Sequence, residues 1–344
     1  MIKNIIYVSH AEKHPSGGAK IIYHHSEIIN SFNNFSSEVL HLKKNRLSKI
    51  KISIIKKLKI SKKNNESGWQ LNELEVAKRF NYKWLDHKIK TRNKLSFDKK
   101  KDFLILPEIF AHLAEDLCIK NGISYAIFVQ NGYVISSTNN ERKLSLAYNK
   151  AKFITSYSED ITKCIKLKFP NIKTKIIKIS YALDLKNFKM NKKKNIITYM
   201  SRKLPQHSYL VTNYIKAQLP KNWLIRDLNN LNEKKTYDYL RESKIFLSFS
   251  NMEGLPLPPA EAALAGNFVI GYTGEGGNEY WKKPLFTKIN SGEIKSFVKE
   301  IINKILEIKV GKKPSKKYIL NLKTKFSKSR ELNNIKKFLK YINN

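Results

Sequence analysis

Apolar residues follow two alternating spacings along this chain. Short runs rich in isoleucine, valine and aromatic residues, typical of buried strands, occupy residues 5–9, 103–106, 125–130, 152–156 and 173–179. Between several of these runs the apolar residues recur at helical spacing, which predicts helices at residues 19–32, 110–120 and 158–168. Glu159 and Asp160, placed after Ser158, suit the positive end of the last helix. The first half is therefore predicted to be an α/β domain.

The same alternation begins again at residue 195. Strands are predicted at residues 196–200, 223–226, 245–250 and 268–272, with helices at 208–218, 233–243 and 258–265 and a helical tail from residue 293. Residues 184–194 lose this periodicity and are rich in lysine, so we interpret them as a linker. The pattern predicts an α/β fold with two Rossmann-like, doubly wound domains, residues 1–183 and 195–344, that face a central cleft.

Composition places the chain among globular cytoplasmic proteins. Its 344 residues suffice for two domains, and 41% of them are hydrophobic. No apolar run has the ~20 residues that a membrane-spanning helix needs, and residues 1–8 are too β-rich for a signal peptide. Cys118 and Cys164, the two cysteines, form no disulfide framework or thiolate metal motif, which fits a reducing compartment.

Basic residues greatly outnumber acidic ones. There are 66 Lys and Arg against 28 Asp and Glu, a net charge of +38, which attracts polyanions such as phosphorylated substrates, nucleic acids and anionic membranes. We interpret most of this charge as solvated surface in a lysine-rich composition. The segment from Lys43 to Lys63 differs, because it carries ten basic residues, no acidic residue and interleaved leucines and isoleucines. It predicts either a peripheral contact with an anionic membrane or a mobile basic loop.

The densest polar signal follows the third strand of the second half. Glu253 and Gly254 are expected in the loop after this strand, and Pro258 and Pro259 open a short helix, where a missing N–H costs little. Glu261 then falls in the first turn of that helix, at the carboxyl edge of the sheet where α/β proteins bind ligands. Because a carboxylate only accepts hydrogen bonds, Glu261 suits the vicinal hydroxyls of a ribose or a hexose.

The run from Glu253 to Glu261, E-G-L-P-L-P-P-A-E, resembles the signature of the family 4 glycosyltransferases, two glutamates separated by seven residues. The resemblance implies a GT-B fold and transfer of a sugar from a nucleotide-sugar donor. It places Glu261 on the donor ribose and Glu253 beside the transferred sugar, as a candidate catalytic residue. Gly254 and Leu255 would belong to the same donor-binding loop. Pro256 stands where the family has a second glycine, which stiffens the loop.

Two basic residues follow the first strand of the second half. Arg202 and Lys203 lie near the point where members of the family neutralise the donor diphosphate. Cations at that place would stabilise the negative charge that builds up on the leaving group. The spacing between the two cations is usually longer in the family than one residue, so Arg202 is the stronger candidate.

Two glycine-rich turns complete the predicted donor site. Gly17 and Gly18 separate the first strand from a helix, where backbone N–H groups approach a phosphate or simply form a tight turn. Residues 271–280 follow the strand at 268–272 and resemble a loop of related bacterial sugar transferases. This resemblance implies that Gly276 and Gly277 approach the donor closely.

The sequence shows neither a metal motif nor a protein base. No Asp-x-Asp motif occurs, which argues for a metal-independent enzyme without a cofactor, whose nucleotide sugar is a substrate. Many relatives carry a histidine at the end of a first-domain strand, and the comparable place here reads Phe128-Val129-Gln130-Asn131-Gly132. In the retaining chemistry that the family implies, the leaving phosphate itself accepts the proton of the acceptor. The absent histidine therefore weakens the assignment of a base more than that of the enzyme.

We predict a hexosyltransferase that acts on a glycan or lipid-linked acceptor, either in the cytoplasm or peripherally at the inner face of the membrane. A role in polysaccharide or lipopolysaccharide assembly is implied by the family alone. Residues 1–183 are expected to face the acceptor, and a C-terminal helix from about residue 329 to cross back to them. Three alternatives stay open: a GT-B nucleotide-sugar epimerase, a non-enzymatic basic protein that binds nucleic acid or membrane, and an inactive relative that binds a partner. No specific nucleic-acid partner is expected, because basic and aromatic residues do not interleave as in recognised nucleic-acid-binding modules.

Overall fold

The computed structural model describes residues 2–11, 16–46, 48, 70–83, 85, 89–136, 140–189 and 191–343. The chain forms two compact units. The first comprises Met1–Tyr157, Ile161–Ile179 and Leu332–Asn344, and the second comprises Ser158–Asp160 and Ser180–Glu331. Residues from both ends of the sequence thus belong to the first unit.

The described part of the first unit contains one sheet of eight strands. These are β1 (Asn4–His10), β2 (Ser36–Lys44), β3 (Leu74–Val76), β4 (Thr91–Arg92), β5 (Asp102–Pro107), β6 (Ser124–Val129), β7 (Ile154–Ser156) and β8 (Ile176–Lys178). Their order is β3-β2-β1-β5-β6-β7-β8, and β4 pairs with β2. Every pairing is parallel except that of β3 with β2. The central strands β1 and β5 consist almost wholly of buried residues, as expected for a parallel sheet covered on both faces.

Two of the predicted helices connect these strands, one predicted helix differs in type, and one helix was not predicted. The α-helices are α1 (Gly17–Asn30), α2 (Glu141–Lys150) and α3 (Glu159–Lys168); side-chain oxygens of Ser16 and Asn140 cap the first two. The α-helix expected at residues 110–120 is instead a 3₁₀ segment (Glu108–Leu113) followed by a π turn (Glu115–Ile119). Apolar spacing over so few turns indicates a helix but does not distinguish its hydrogen-bond pattern.

Aromatic and histidine side chains fill the core of the first unit. Tyr7, Phe128 and Phe153, which the strand pattern assigned to the core, are at most 2% exposed. His25 is also buried; its two ring nitrogens hydrogen-bond the hydroxyls of Tyr7 (3.3 Å) and Tyr157 (3.0 Å). Burial lowers the pKa of His25 to about 3, so the ring is neutral and serves packing.

The described part of the second unit contains a five-stranded parallel sheet. Its strands are β9 (Ile196–Tyr199), β10 (Leu224–Asp227), β11 (Ile245–Glu253), β12 (Phe268–Glu275) and β13 (Phe286–Lys288), in the order β10-β9-β11-β12-β13. The helices are α4 (Pro205–Lys216), α5 (Glu233–Glu242), α6 (Leu257–Leu264), α7 (Ile294–Lys309), α8 (Lys316–Lys325) and α9 (Lys328–Asn343), whose last residues belong to the first unit. Its core joins β9 and β11 to α4 and α7 through buried side chains that include Ile197, Leu247, Ile215 and Phe297.

The segment predicted as a linker is tied to the second unit. Residues Leu185–Phe188 form a 3₁₀ turn in which Phe188 is buried. The ammonium of Lys193 donates to the carbonyl oxygens of Ser243 (2.8 Å), Ala265 (2.6 Å) and Leu240 (3.3 Å). Because these carbonyls lie at the C-terminal ends of α5 and α6, Lys193 satisfies acceptors that the two helices leave unpaired.

No helix in the described ranges is long and apolar enough to cross a bilayer. Most of the segment from Lys43 to Lys63 lies outside the described residues, which end there at residue 48 and resume at residue 70. The membrane contact predicted for this segment therefore stays a prediction.

Candidate functional site

The strand order of the second unit predicts where a ligand binds. From β9 the chain proceeds to β10 on one side and then to β11 on the other, so the loops that follow β9 and β11 leave the sheet in opposite directions. In parallel sheets the crevice outside such a switch point is the usual ligand site. A pocket opens there, lined by Met200, Arg202, Lys203, Phe246, Leu247, Ser248, Phe249, Ser250, Glu253, Pro258 and Pro259.

Two predicted cations meet in this pocket. Arg202 is exposed and forms no ion pair with any described residue, whereas the Lys203 ammonium lies 3.1 Å from the Glu253 carboxylate. Arg202 and Lys203 are adjacent and both line the pocket, although the shorter spacing made Lys203 the weaker candidate. The pocket thus combines two positive side chains with one carboxylate.

A polar network that the sequence analysis missed holds the loop before these cations. The Ser201 hydroxyl donates to the Asp227 carboxylate (2.6 Å), and the Asn229 side-chain amide donates to the Ser201 oxygen (2.5 Å). The backbone N–H of Asn229 also donates to Asp227 (3.0 Å). The signal that could have revealed it is the position of Asp227, which ends the strand beside β9 at the same edge of the sheet.

The backbone around Glu253 is irregular and closely packed. Glu253 is the last residue of β11, not a loop residue as predicted, and the pairing of β11 with β12 shifts register between Ser250 and Glu253. Met252 (φ +47°) and Glu275 (φ +69°), which pairs with Glu253, adopt left-handed conformations that non-glycine residues rarely adopt. A register shift of this kind re-aims the side chains that follow it, here the carboxylate of Glu253.

Glycines at the end of β12 and directly after it pack against this irregular segment. A Cβ atom on Gly276 would lie 1.9 Å from the carbonyl oxygen of Gly254, and one on Gly274 would lie 2.9 Å from Cβ of Ser250. A Cβ atom on Gly277 would lie 3.2 Å from the ring of Pro256. The structure thus gives Gly276 and Gly277 a packing role beneath the Glu253 loop, while their approach to a donor stays a prediction.

Helix α6 begins one residue earlier than predicted, which changes the position of Glu261. The helix starts at Leu257, with Pro256 as its N-cap and Pro258 and Pro259 in its first turn. Glu261 is therefore in the second turn, and the expectation that it lies in the first turn is wrong. Pro256, the departure from the family pattern, has φ −68°, which its ring favours, and its carbonyl accepts a hydrogen bond from the buried Tyr280 hydroxyl (2.5 Å).

Glu261 is half-buried, and its charge acts on two buried or partly buried tyrosines. Burial is the largest cause that raises the pKa values of Tyr181 and Tyr237, and the negative charge of Glu261 is the second largest. Burial also raises the pKa of Tyr280, with smaller contributions from Glu253 and Glu261, so both glutamates act on one side chain. Gly254 is buried and Leu255 half-buried in the turn between the glutamates. The structure thus brings the two glutamates to one end of the sheet, with only Glu253 in the lining of the pocket.

The first unit has a second pocket at its own switch point, between β1 and β5. It is lined by Ser9, His10, Ser16, Gly18, Ala19, Ile22, Tyr82, Pro107, Ile109 and Gln130. The Gln130 side chain occupies the space beside Gly18. A Cβ atom on Gly18 would lie 2.3 Å from the side-chain amide oxygen of Gln130, and the amide nitrogen donates to the Gly18 carbonyl oxygen (3.0 Å). Gly17 has open space around its Cβ position. The glycine turn therefore holds Gln130, and phosphate binding there stays a prediction.

A buried carboxylate that the sequence analysis missed supports the wall of this pocket. Glu108 follows β5, is 4% exposed, and accepts hydrogen bonds from the backbone N–H groups of Gln130 (3.1 Å) and Asn131 (2.9 Å). Burial raises its pKa to about 7, although both hydrogen bonds oppose the shift. A glutamate directly after a fully buried strand, at the ligand edge of the sheet, is the signal that could have revealed it.

The described residues contain no group of three or more His, Cys, Asp or Glu side chains able to hold a metal ion. Cys118 is buried and Cys164 is half-buried, and neither forms a disulfide with a described residue.

Comparison with known proteins identifies the fold. No protein-family model matches the sequence, and no curated protein matches it. Among solved structures, sucrose-phosphate synthase from Thermosynechococcus elongatus is similar, with a TM-score of 0.69, 9% identity and 99% of both chains covered. HepE from Anabaena, solved with UDP, has a TM-score of 0.66 and 10% identity over 98% of this chain and 99% of its own. The lipopolysaccharide outer core galactosyltransferase WaaB has a TM-score of 0.63 and 14% identity over 98% of this chain and 99% of its own.

These likenesses extend over the whole chain and agree with the two parallel sheets and their switch points. Identities this low establish the architecture and not the activity. The chain has the GT-B fold.

Proposed function

We propose that this protein is a glycosyltransferase that binds a nucleotide-sugar donor in the pocket between β9 and β11. The observation that carries the proposal is that two cations, Arg202 and Lys203, and the carboxylate of Glu253 line one pocket at a switch point, where Lys203 lies 3.1 Å from Glu253. Cations suit a diphosphate, and a carboxylate suits sugar hydroxyls. The similar solved structures support the reaction class, since they include a sucrose-phosphate synthase and a galactosyltransferase.

Each site residue has a proposed role. Arg202 and Lys203 neutralise the diphosphate as it leaves, and Glu253 accepts hydrogen bonds from the transferred hexose. Glu261, half-buried beside Tyr181 and Tyr237, accepts hydrogen bonds from the ribose hydroxyls. Glu261 does not line the pocket, whereas both cations do.

The finer features of the reaction are also proposals. The run Phe128-Val129-Gln130-Asn131-Gly132, at the place comparable to the relatives' histidine, contains no basic side chain, so a leaving phosphate that accepts the proton is consistent with retention of configuration. Two cationic side chains supply the positive charge that a divalent metal supplies in other transferases, so metal independence is proposed too. A glycan or lipid-linked acceptor, as in lipopolysaccharide assembly, is supported by the name of WaaB.

The first test is a thermal-shift screen of the whole chain against UDP, GDP, dTDP, CMP and ADP. A nucleotide at 100 times its dissociation constant stabilises the folded state by about 2.7 kcal/mol. We expect one nucleoside diphosphate to raise the melting temperature selectively, also in EDTA, and Glu261→Ala and Arg202→Gln to abolish most of that shift. Glu300→Ala and Lys221→Gln, which change the same charges outside the pocket lining, are expected to keep it.

The screen also separates the alternatives. If no nucleotide shifts a well-folded sample, the donor site is refuted and a non-enzymatic binding protein is favoured. If a nucleotide binds, incubation with its sugar forms distinguishes the reactions by their products. A changed sugar still attached to the nucleotide indicates an epimerase, and free nucleoside diphosphate that accumulates only with an acceptor indicates a transferase.

A further inference from the structure

The pocket in the second unit holds an ion pair within its own lining. The Lys203 ammonium lies 3.1 Å from Glu253, and the two side chains are 41% and 22% exposed. A ligand that binds through Lys203 therefore meets a cation that already has a partner. With Arg202, the lining contains two positive charges and one negative charge.

Glu253 cannot easily withdraw from this position. Its backbone follows a register shift and the left-handed Met252, and it pairs with the left-handed Glu275. A Cβ atom on Gly274 would lie 3.3 Å from Cβ of Glu253, and one on Gly276 would lie 2.7 Å from its carbonyl oxygen. The backbone and Cβ of Glu253 are thus held in place, so its carboxylate stays within reach of Lys203.

The neighbouring helix offers little additional attraction for an anion. Pro258 and Pro259 line the pocket at the start of α6, and its N-cap is Pro256. An α-helix normally presents four free N–H groups at this end, and three of those positions in α6 are prolines without an N–H. Within this pocket, the charge of a bound diphosphate must therefore be balanced mainly by Arg202 and Lys203. The negative charge of Glu253 reduces the attraction that both cations exert on the diphosphate.

We propose that Glu253 is a specificity-determining residue that favours the intact nucleotide sugar over the nucleoside diphosphate left after transfer. The inference rests on the proposed function. When the diphosphate draws Lys203 away, Glu253 loses its cation. The hydroxyls of a bound sugar then donate hydrogen bonds to Glu253 and replace that partner. A nucleoside diphosphate brings an additional negative charge and no sugar hydroxyl to this place, so the fixed carboxylate weakens its binding and promotes its release.

The test compares two ligands by calorimetry, without acceptor: the nucleoside diphosphate identified in the screen and its sugar conjugate. We expect Glu253→Gln, which keeps the shape and removes the charge, to bind the nucleoside diphosphate about three- to tenfold more tightly than wild type. The conjugate is expected to bind no more tightly than before, so the preference for it falls or reverses. Glu300→Gln serves as the matched control and is expected to leave both affinities unchanged.

A second variant tests whether Glu253 weakens binding by competing with the diphosphate for Lys203. In a Lys203→Met background, the gain from Glu253→Gln is expected to shrink, because no shared cation remains to be released. A gain of undiminished size in that background would overturn competition for Lys203. Unchanged or weaker binding of the nucleoside diphosphate by Glu253→Gln, while wild type binds it, would overturn the inference and leave the proposed function intact. Absence of binding by wild type would instead refute the proposed function itself.

Discussion

At the scale of single residues, Gly276 shows how the candidate site depends on a missing side chain. It packs directly against the backbone carbonyls of Glu253 and Gly254, and a Cβ atom would lie 1.9 Å from the carbonyl oxygen of Gly254. Because backbone on both sides must move to relieve this contact, we expect Gly276→Ala to lower the free energy of unfolding by about 3 kcal/mol or more. The same displacement should weaken nucleotide binding, since it moves Glu253. Urea denaturation and the thermal-shift assay measure the two effects.

Gly17→Ala is the matched control for this prediction. Gly17 begins α1 and has no atom near its Cβ position, so alanine is expected to be neutral or to stabilise the first unit by up to about 1 kcal/mol. Equal effects of the two substitutions would show that the tight contact at Gly276 is not what requires glycine there.

Glu108 makes a residue-scale prediction about pH. Its pKa is raised by burial to about 7 from 4.5, so the folded state binds a proton more tightly than the unfolded state. The stability that this proton contributes is fully present below pH 4.5 and is lost as the pH rises through 7. We expect the stability difference between wild type and Glu108→Gln to fall by about 3 kcal/mol over that range. Urea denaturation at pH 4.5, 6 and 8 measures it, and a difference independent of pH would contradict the prediction.

At the scale of elements, the sequence predicts most strands and helices, because the side chains that face the core recur along the chain at the period of a strand or a helix. The predicted strands at 5–9 and 103–106 correspond to β1 and β5, and the predicted helix at 233–243 corresponds to α5. The ends of elements were less predictable. The extension of β11 to Glu253 depends on pairing with β12 beyond a register shift, which no local pattern encodes.

The same limit applies to the elements of the candidate site. The pattern E-x7-E and the prolines place both glutamates at the carboxyl edge of the sheet. The helix starts one residue earlier than the sequence predicts, however, so Glu261 lies in its second turn and not in its first. The contact between Lys203 and Glu253 joins the loop after β9 to the end of β11, fifty residues further along the sequence, and the strand order brings them together. Glu108 was missed for a related reason, because its burial depends on the neighbouring strand β6.

At the scale of the whole molecule, the assignment of the last residues to the first unit rests on contacts over long sequence distances. Lys152 donates to the carbonyl oxygen of Ile342 at 2.9 Å, and Phe338 packs edge-on against Phe153 with ring centroids 5.4 Å apart. The amphipathic pattern of α9 indicates that one face is buried but not which unit covers it. The two sheets, in contrast, follow from alternation that repeats along the chain.

Phe338 gives a prediction at this scale. It is 4% exposed within the first unit, so we expect Phe338→Ala to destabilise that unit by about 3–5 kcal/mol, as is typical when a buried aromatic ring is removed. Hydrogen–deuterium exchange should show lost protection in β1, β5 and β7, while β9 and β11 keep theirs, although α9 follows the second unit in sequence. Lys337→Ala, at an exposed position one residue away, is the control and should change neither set. Loss of protection in β9 and β11 instead would mean that the C-terminal helix stabilises the second unit, and the division of the chain would have to be redrawn.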